Sequence, residues 1–355
     1  MYRRILSVVW IVFITLGLLE GTVRVFSAVA FPKMMVLDDE LGWRHAQSRQ
    51  KTYTNEFGQE IVIAMDQFGL RGADHALERT PGTYRILVLG DSFTEATEVA
   101  DEDLFTSQLD VAGGEPLEVI NTGVGGWSNL QEYIYLEGHG LQFEPDLVLL
   151  MFFENDYIDN CMSHSPGFGP RPHFVRVADR SEIRLELDAT SFRRYILPIP
   201  FNSWLNRHSY TFNFVNNRIY QPLNATKLRE LRRIESTEAL QCADDAVDQL
   251  LGRFKALLDE RTIDFAVALI PSRQTLAGRT WMDSLDPLAV EASVLGSCAV
   301  HATPCLPLRE TFRLAENRDE LYFPTNIHWT AAGHRAAADA LSPFLSTVRE
   351  AASTN

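Results

Sequence analysis

The sequence predicts an α/β protein built on a doubly wound parallel sheet, with an inserted lobe and an N-terminal apolar anchor helix. Three observations predict this fold. Continuous apolar runs of strand length recur along the chain, helix-length segments separate them, and polar residues follow the end of each run. Alternating strands and helices favour a parallel sheet covered on both faces, and ligands of such sheets bind just beyond the strand ends.

Four apolar runs predict the strands, because strands buried on both faces of a sheet lack polar alternation. The runs span residues 84–89, 117–120, 146–153 and 264–270. The expected helices span residues 129–141, 237–260 and 330–348. Between 161 and 236 the pattern is irregular and too long for a bare loop, so we expect an inserted lobe beside the site, with a helix near residues 204–220.

The composition is that of an ordinary globular protein and excludes one class of partner. Hydrophobic residues make up 46% and charged residues 22% of the 355 residues, a length that allows one large domain or a domain with an added lobe. The net charge is −15, and no block of Lys and Arg interrupts it. We therefore expect no nucleic-acid partner, because a phosphate-binding surface needs such residues.

The first 31 residues differ from the rest and predict a membrane segment. Arg3 and Arg4 precede a run without charge from residue 5 to residue 19, an arrangement that keeps this end in the cytoplasm and directs the remainder outward. Residues 5–31 form enough helix to cross a bilayer core of about 30 Å. We expect a single-pass protein of the cell membrane, with its main domain on the periplasmic or extracytoplasmic side.

A cleaved signal peptide is the alternative to an anchor. Residues 28–30, Ala-Val-Ala, have the small-x-small form of a signal peptidase site. They lie far beyond the apolar run, with Glu20 and Arg24 between, and such side chains can reach the headgroups from the outer end of a spanning helix. We favour the anchor. The expected divisions are the anchor, leading strands and turns, and the main domain, at residues 1–31, 32–83 and 84–350.

Four cysteines fit an oxidising compartment. Cys298 and Cys305 are close enough in sequence to be bridged, and Cys161 and Cys242 could form a second pair, with buried free thiols as the alternative. No Cys-x-x-Cys motif is present, which argues against a zinc knuckle.

Four segments carry candidate catalytic residues. Ser92 in Gly-Asp-Ser follows the first strand at a sharp turn that presents its hydroxyl at the rim of the sheet. Gly126 in a glycine-rich turn lets backbone amides approach a ligand, and Asn155 could direct its amide at an oxyanion. His328 precedes the last helix, where an imidazole could take the serine proton. Taken singly, Ser92 and Asn155 can be explained as helix caps and the glycines equally well as a tight turn, and a lone histidine at this place is more often structural.

In this order and setting, the four segments resemble the SGNH hydrolase family over about residues 84–345. The chain is similar in particular to the bacterial, N-terminally anchored GDSL branch, whose apolar segment carries a Glu and an Arg near its end, as Glu20 and Arg24 do here. Residues 68–72, Phe-Gly-Leu-Arg-Gly, also resemble that branch. The resemblance implies a flavodoxin-like three-layer fold and a serine ester hydrolase with neither cofactor nor metal.

The resemblance also implies a role for each site residue. Ser92 would be the nucleophile, and His328 would be the general base toward it and the general acid toward the leaving alcohol. The backbone amides of Ser92 and Gly126 and the side-chain amide of Asn155 would form the oxyanion hole.

Two positions depart from the family pattern. Phe153 replaces a Gly two residues before Asn155, a change expected to reshape the pocket rim. Asn326 and Thr325 stand where members carry an Asp ahead of the histidine. An Asn carbonyl can accept the ring N–H of His328 but brings no negative charge, and an Asp→Asn change in a chymotrypsin-type triad lowers turnover about 10⁴-fold. Two expectations follow: either Asn326 orients the ring and the activity is weak, or a Ser92–His328 dyad suffices without an orienting residue.

Other polar residues at this edge are expected to be structural. Asp91, Glu95 and Asp156 crowd the rim, but no second histidine at ligand spacing supports a metal site. Asp91 is expected to form local hydrogen bonds in the turn, and His334 to belong to the packing of the last helix.

The leading functional hypothesis is hydrolysis of a small acyl ester on an acylated carbohydrate or lipid, outside the cytoplasmic membrane. Transfer of the acyl group to a polysaccharide hydroxyl is the first alternative, with the anchor placing the domain beside an export machine. The second alternative is a non-catalytic glycan-binding protein, because Asn326 replaces the expected Asp.

Overall fold

A computed structural model of the protein describes residues 2–30, 34–72, 74–165, 167–177, 180–184, 196–279 and 285–353. Its strands are β1 (Met35–Asp38), β2 (Gly42–His45), β3 (Arg49–Thr54), β4 (Glu60–Met65), β5 (Tyr84–Leu89), β6 (Leu117–Asn121), β7 (Leu147–Phe153), β8 (His164–Ser165), β9 (Gly169–Pro170), β10 (His173–Val177), β11 (Arg180–Arg184), β12 (Asp264–Ile270) and β13 (Cys305–Pro307). Its α-helices are α1 (Tyr2–Ala30), α2 (Ser92–Glu95), α3 (Asn129–Gly138), α4 (Asp156–Asp159), α5 (Asn202–His208), α6 (Tyr210–Val215), α7 (Gln221–Leu223), α8 (Ala225–Ala239), α9 (Ala243–Asp259), α10 (Arg273–Leu276), α11 (Pro287–Val300), α12 (Arg309–Leu314) and α13 (Ala331–Ser353).

Five parallel strands form the central sheet, in the order β6-β5-β7-β12-β13, and confirm the predicted fold class. The chain starts at β5, adds β6 on one side and then crosses to β7 on the other, so the direction of winding reverses between β5 and β7. Ligands of such sheets bind beside this switch point, at the carboxyl ends of the strands. The edge strand β13 was not predicted, because three residues make too short an apolar run.

The sheet is buried on both faces, which explains its unbroken apolar strands. All seven residues of β7 are buried. Leu87 and Leu150 face a cluster completed by α3, α9 and α11, whereas Ile86 and Leu149 face a cluster completed by α12 and α13. Burial of one such side chain stabilises the fold by about 1.5–3 kcal/mol relative to exposure, and the outcome is a three-layer domain.

The chain leaves the central sheet between α4 and α9, where two small hairpins, β8–β9 and β10–β11, are followed by α5 to α8. A disulfide between Cys161 and Cys242 closes this excursion at its base, with the two Cα atoms 6.5 Å apart. On a chain-entropy argument, closing a loop of about 80 residues contributes about 4–5 kcal/mol. A second disulfide joins Cys298 of α11 to Cys305 of β13, so both pairs considered from the sequence are formed.

Two expected helices are divided in the structure. The helix expected over 237–260 begins at α9, because a turn ending at Cys242 separates it from α8. The lobe helix expected near 204–220 is divided between α5 and α6, and α6 continues into a π-helical turn at Asn216–Tyr220.

The apolar N-terminal segment forms the helix α1. Over Tyr2–Phe26 its mean hydropathy is 2.0, and this stretch is long and apolar enough to cross a membrane and is not buried against the rest of the chain. A signal sequence near an N-terminus shares these properties. Two antiparallel hairpins, β1–β2 and β3–β4, then lead toward the central sheet.

Candidate active site

Ser92 lies at the carboxyl end of β5, in the sharp turn into α2. Asp91 caps this short helix by accepting the N–H of Phe93 at 2.9 Å. Gly90 permits the turn, because a Cβ there would lie 2.1 Å from Oγ1 of Thr94. The turn places Oγ of Ser92 2.7 Å from Nε2 of His328, so the two predicted side chains meet at the switch-point edge of the sheet.

His328 is held in the loop that precedes α13. Its carbonyl accepts the N–H of Phe323 at 3.1 Å, and Tyr322 pairs with Trp329 across the same loop. The ring of Phe93 packs edge-on against the imidazole, with 5.1 Å between ring centroids. These contacts fix the ring with one nitrogen toward the serine and the other available to a different partner.

That partner is Glu98, which the sequence analysis did not identify. Its Oε1 lies 2.8 Å from Nδ1 of His328. The expectation that Asn326 accepts the ring N–H is therefore wrong. Asn326 instead donates its side-chain amide to the same Glu98 oxygen at 2.9 Å, and its Oδ1 accepts the backbone N–H of His328 at 3.2 Å. Asn326 thus supports the carboxylate that contacts the ring.

Arg71, a residue of the Phe-Gly-Leu-Arg-Gly segment, holds the loop that carries Glu98 through hydrogen bonds. The guanidinium is buried and donates to three backbone carbonyls of the loop 95–99 and to the carboxylate of Asp101. An arginine can do this because its five N–H donors are arranged in a rigid planar fork. The resemblance of residues 68–72 to the anchored GDSL branch was therefore the one sequence signal that pointed to the loop after Ser92.

The glycine-rich turn is held by the buried side chain of Glu95. Glu95 accepts the N–H of Gly125 at 2.7 Å with one carboxylate oxygen, and its other oxygen lies 2.9 Å from Nε2 of His45. The indole of Trp43 donates to the carbonyl of Gly125 at 3.0 Å. Glu95, one of the acidic residues at the rim, therefore anchors the turn that presents Gly126.

The remaining candidate oxyanion donors, Gly126 and Asn155, follow β6 and β7, the two strands on either side of β5. Gly126 has a φ of 75°, and a Cβ there would approach the ring of Phe168 to 2.7 Å, so the inserted lobe contacts the turn directly. Asn155 follows β7 and donates one amide N–H to Asp159 at 2.9 Å. A side-chain amide has two N–H donors, which leaves the second N–H of Asn155 for a ligand.

Comparison with known proteins decides the family. The family model for GDSL-like Lipase/Acylhydrolase matches residues 86–341. The chain belongs to this family. No curated protein matches the chain at a significant level.

Solved structures similar to this GDSL-family protein include a lipase/acylhydrolase from Enterococcus faecalis, at 13% identity over 76% of this chain and 96% of that chain, with a TM-score of 0.35. A GDSL-like lipase from Bacteroides thetaiotaomicron VPI-5482 is 11% identical over 75% and 88%, with a TM-score of 0.38. TesA is 11% identical over 74% and 99%, with a TM-score of 0.42. The family assignment rests on the family model and not on these similarities.

In this GDSL-family protein, Glu98 determines the direction in which the pKa of His328 is shifted. Burial disfavours the protonated imidazole, but the hydrogen bond and the charge of Glu98 outweigh it and raise the pKa of His328 above 6.5. Burial also opposes ionisation of Glu98, but hydrogen bonds from His328 and Asn326 outweigh it and lower its pKa below 4.5. The carboxylate is therefore ionised wherever the imidazole titrates.

The other polar residues of this edge are engaged in the scaffold of the GDSL domain. Asp156 accepts the N–H of Phe153 at 3.0 Å, and burial raises the pKa of Asp91 to about 6. Nδ1 of His334 accepts the N–H of Phe105 at 3.3 Å, and burial lowers the pKa of this histidine to about 3. Within the described residues, no group of three or more His, Cys, Asp or Glu side chains is placed to hold a metal ion.

Phe153, expected at the pocket rim, is buried instead. Its ring packs against Phe93, with 4.4 Å between centroids, and Phe93 in turn contacts His328. Phe153, which departs from the pattern seen in the family, therefore packs beneath the edge of the sheet that carries Ser92 and His328. A glycine there would leave the Phe93 ring without this contact.

Proposed function

We propose that the protein is a serine ester hydrolase in which Ser92 is the nucleophile, His328 the general base and Glu98 the residue that positions and charges the base. The observation that carries this proposal is the continuous chain of two short contacts, 2.7 Å from the hydroxyl to the imidazole and 2.8 Å from the imidazole to the carboxylate. A nucleophile, a base and an orienting group in this geometry are the requirements of acyl transfer.

In the proposed mechanism Oγ of Ser92 attacks the ester carbonyl while its proton passes to Nε2 of His328. The backbone amides of Ser92 and Gly126 and the free N–H of Asn155 receive the charge that develops on the carbonyl oxygen. The imidazolium then protonates the leaving alcohol, which departs and leaves an acyl-serine. Water gives one proton to the same imidazole as it attacks the acyl carbon. The bond to Oγ of Ser92 then breaks, the imidazolium returns the proton to Oγ, and the acid is released.

Glu98 removes the main argument for weak activity. An asparagine beside the ring would supply an acceptor without charge, whereas a carboxylate at 2.8 Å fixes the tautomer and stabilises the imidazolium formed after proton transfer. The hypothesis of a non-catalytic glycan-binding protein rested on the missing Asp, and it loses its motivation once a carboxylate from another loop takes that place.

The test is covalent labelling by a fluorophosphonate probe, followed by steady-state hydrolysis of short-chain aryl esters. Labelling is expected in the wild type and absent in Ser92→Ala. In Glu98→Gln, kcat is expected to fall by up to about 10⁴-fold. Because the Glu98 charge is what raises the pKa of His328, the acid limb of kcat/KM is expected to move to lower pH in this variant.

Glu102 provides the matched control, since it is an exposed carboxylate four residues further along the same loop. Glu102→Gln is expected to retain both the rate and the pH profile. A folded wild-type protein that takes no label, or a Glu98→Gln variant with an unchanged pH profile, would contradict the assignment.

We further propose that the substrate is a small acyl ester on a carbohydrate or lipid outside the cytoplasmic membrane, with α1 as an uncleaved anchor. The length and hydropathy of α1 support an anchor, and two disulfides support an oxidising compartment. Protease protection of right-side-out and inverted vesicles tests the topology. Excess acceptor polysaccharide separates hydrolysis from transfer, because an acyltransferase would divert product from free acid to acylated glycan.

A further inference from the structure

The outer part of α1 is bound to the inserted lobe through Glu20. The carboxylate accepts hydrogen bonds from Oγ of Ser209 at 2.8 Å and from the backbone N–H groups of Tyr210 and Thr211 at 2.9 and 3.0 Å. These are N–H groups of the first turn of α6, which have no partner within their own helix. Glu20 therefore accepts hydrogen bonds from the backbone N–H groups at the start of α6, which lies about 190 residues further along the chain.

Arg24 completes this contact one turn later on α1. It donates to Glu20 at 2.8 Å and to the backbone carbonyl of His208, and its guanidinium lies 5.0 Å from the centroid of the Tyr210 ring. The only charged residues between residue 5 and residue 31 are thus bound by the lobe. Cleavage after residue 30 would remove both of them, so the contact requires that α1 be retained.

The lobe helices, residues 199–223, carry large apolar side chains that the described part of the protein does not cover. The most exposed are Phe201 at 82%, Leu223 at 80%, Trp204 at 61%, Phe214 at 58% and Ile219 at 48%. Basic residues also outnumber acidic ones here in an acidic chain: residues 199–223 contain two Arg and no Asp or Glu, and residues 224–234 add four Lys and Arg and one Glu, whereas the whole chain has a net charge of −15. Exposed aromatic and aliphatic residues with neighbouring basic residues are typical of a surface that lies on an anionic bilayer.

We propose that the lobe helices bind the lipid bilayer at the outer end of α1, with their exposed apolar side chains in the interfacial layer. This inference rests on the proposed role of α1 as an anchor, because a spanning helix that holds the lobe by Glu20 and Arg24 fixes the lobe at headgroup height. Both α1 and the lobe helices then attach the protein to the membrane, and together they fix the height and orientation of the main domain relative to the bilayer. The lobe also contacts the active site, since Phe168 lies against Gly126.

The test uses the full-length protein in nanodiscs of phosphatidylethanolamine and phosphatidylglycerol. A photoreactive benzoylphenylalanine replaces Trp204 in one variant and Val300, an exposed residue at the end of α11, in the control variant. After illumination, lipid adducts detected by mass spectrometry are expected at position 204 and not at position 300. Lipid adducts at both positions or at neither, or adducts at 204 only with the scaffold protein, would overturn the proposal.

A second variant tests whether Glu20 is what holds the lobe at the bilayer. Glu20→Ala is expected to lose the lipid adduct at position 204 while the protein stays in the membrane. Thr22→Ala is the matched control, because this hydroxyl bonds only within α1 to the carbonyl of Leu18, and it is expected to keep the adduct. An adduct that survives Glu20→Ala unchanged would contradict the docking argument.

The outcomes separate this inference from the proposals on which it depends. Release of the wild-type protein by alkaline carbonate would refute the anchor and the bilayer-bound lobe together. Retention in the membrane without a lipid adduct at position 204 would refute the lobe alone. Fluorophosphonate labelling of Ser92 reports on the hydrolase independently of both.

Discussion

His328 has different partners on its two ring nitrogens, and the proposed mechanism depends on that difference. Nε2 faces the hydroxyl of Ser92, and Nδ1 faces a carboxylate that comes from a different loop. Asn326 lies beside both and donates to Glu98 rather than to the ring. In direct contact with the imidazole, Asn326 would be a weak substitute for Asp. It is a suitable neighbour for the Glu98 carboxylate, because it donates a hydrogen bond to it.

This geometry predicts the sign of the change for Asn326→Asp. From sequence alone, restoring an Asp at this position would be expected to increase activity. In the structure it would remove an N–H donor from Glu98 and bring a second negative charge to within about 3 Å of the first, which disfavours ionisation of the pair. We expect kcat to fall by about 10-fold or more, measured by ester hydrolysis from pH 5 to pH 9.

Asn326→Ser is the companion variant, because a hydroxyl retains a donor without adding charge. It is expected to lie between the wild type and the Asp variant in rate. A gain of activity in Asn326→Asp would mean that the introduced carboxylate, and not Glu98, can serve the ring.

Among the elements, the hairpin β3–β4 joins the two loops that carry His328 and Glu98. The side chain of Asn55, in the hairpin turn, donates to the backbone carbonyl of Glu98 at 3.1 Å. The neighbouring Glu56 accepts the backbone N–H of Thr325 at 2.9 Å and also that of Asn326. A turn near the start of the chain thus sets the spacing between loops that lie more than 200 residues apart in sequence.

Glu56→Ala is expected to lower kcat by about 10- to 100-fold, because small displacements of catalytic groups have effects of this size. The unfolding temperature should change little, since Glu56 is exposed and does not belong to the core. Glu60→Ala, an exposed carboxylate on the adjoining strand β4, is the control and should retain activity. Equal losses in the two variants would indicate a general effect on the hairpin instead of a specific effect on the loops.

Four of the five strands of the central sheet and the Ser92–His328 pair could be predicted from sequence, whereas Glu98 could not. β7 is an uninterrupted apolar run, and Ser92 and His328 lie in segments that resemble a known family. Glu98 lies in an irregular loop whose path is set by contacts from Arg71 and Asn55, which come from distant parts of the chain. The sequence pointed to Asn326 because it lies close to His328 along the chain. Tertiary contacts from distant residues leave no local pattern that would have pointed to Glu98.

At the scale of the whole molecule, the domain keeps several carboxyl groups buried between the sheet and α3. Oε2 of Glu132 and Oδ2 of Asp156 accept hydrogen bonds from the same amide of Asn129, at 3.0 and 3.1 Å. Burial raises the pKa of Glu132 to about 8 and that of Asp156 above its ordinary value. The folded protein therefore holds protons that the unfolded chain would release at about pH 4.

This difference predicts how stability depends on pH. A carboxyl group whose pKa is raised on folding contributes stability below its unfolded pKa of about 4.3, and that contribution is lost as pH rises through the folded value of about 8 for Glu132. The free energy of unfolding is expected to decline between pH 5 and pH 9, and Glu132→Gln, which cannot ionise, should reduce the slope. Glu137→Gln, on the exposed face of the same helix, is the control and should keep the wild-type slope. Urea unfolding of the full chain at pH 5, 7 and 9 measures this directly, and identical slopes in the three proteins would show that Glu132 is ionised in the folded state.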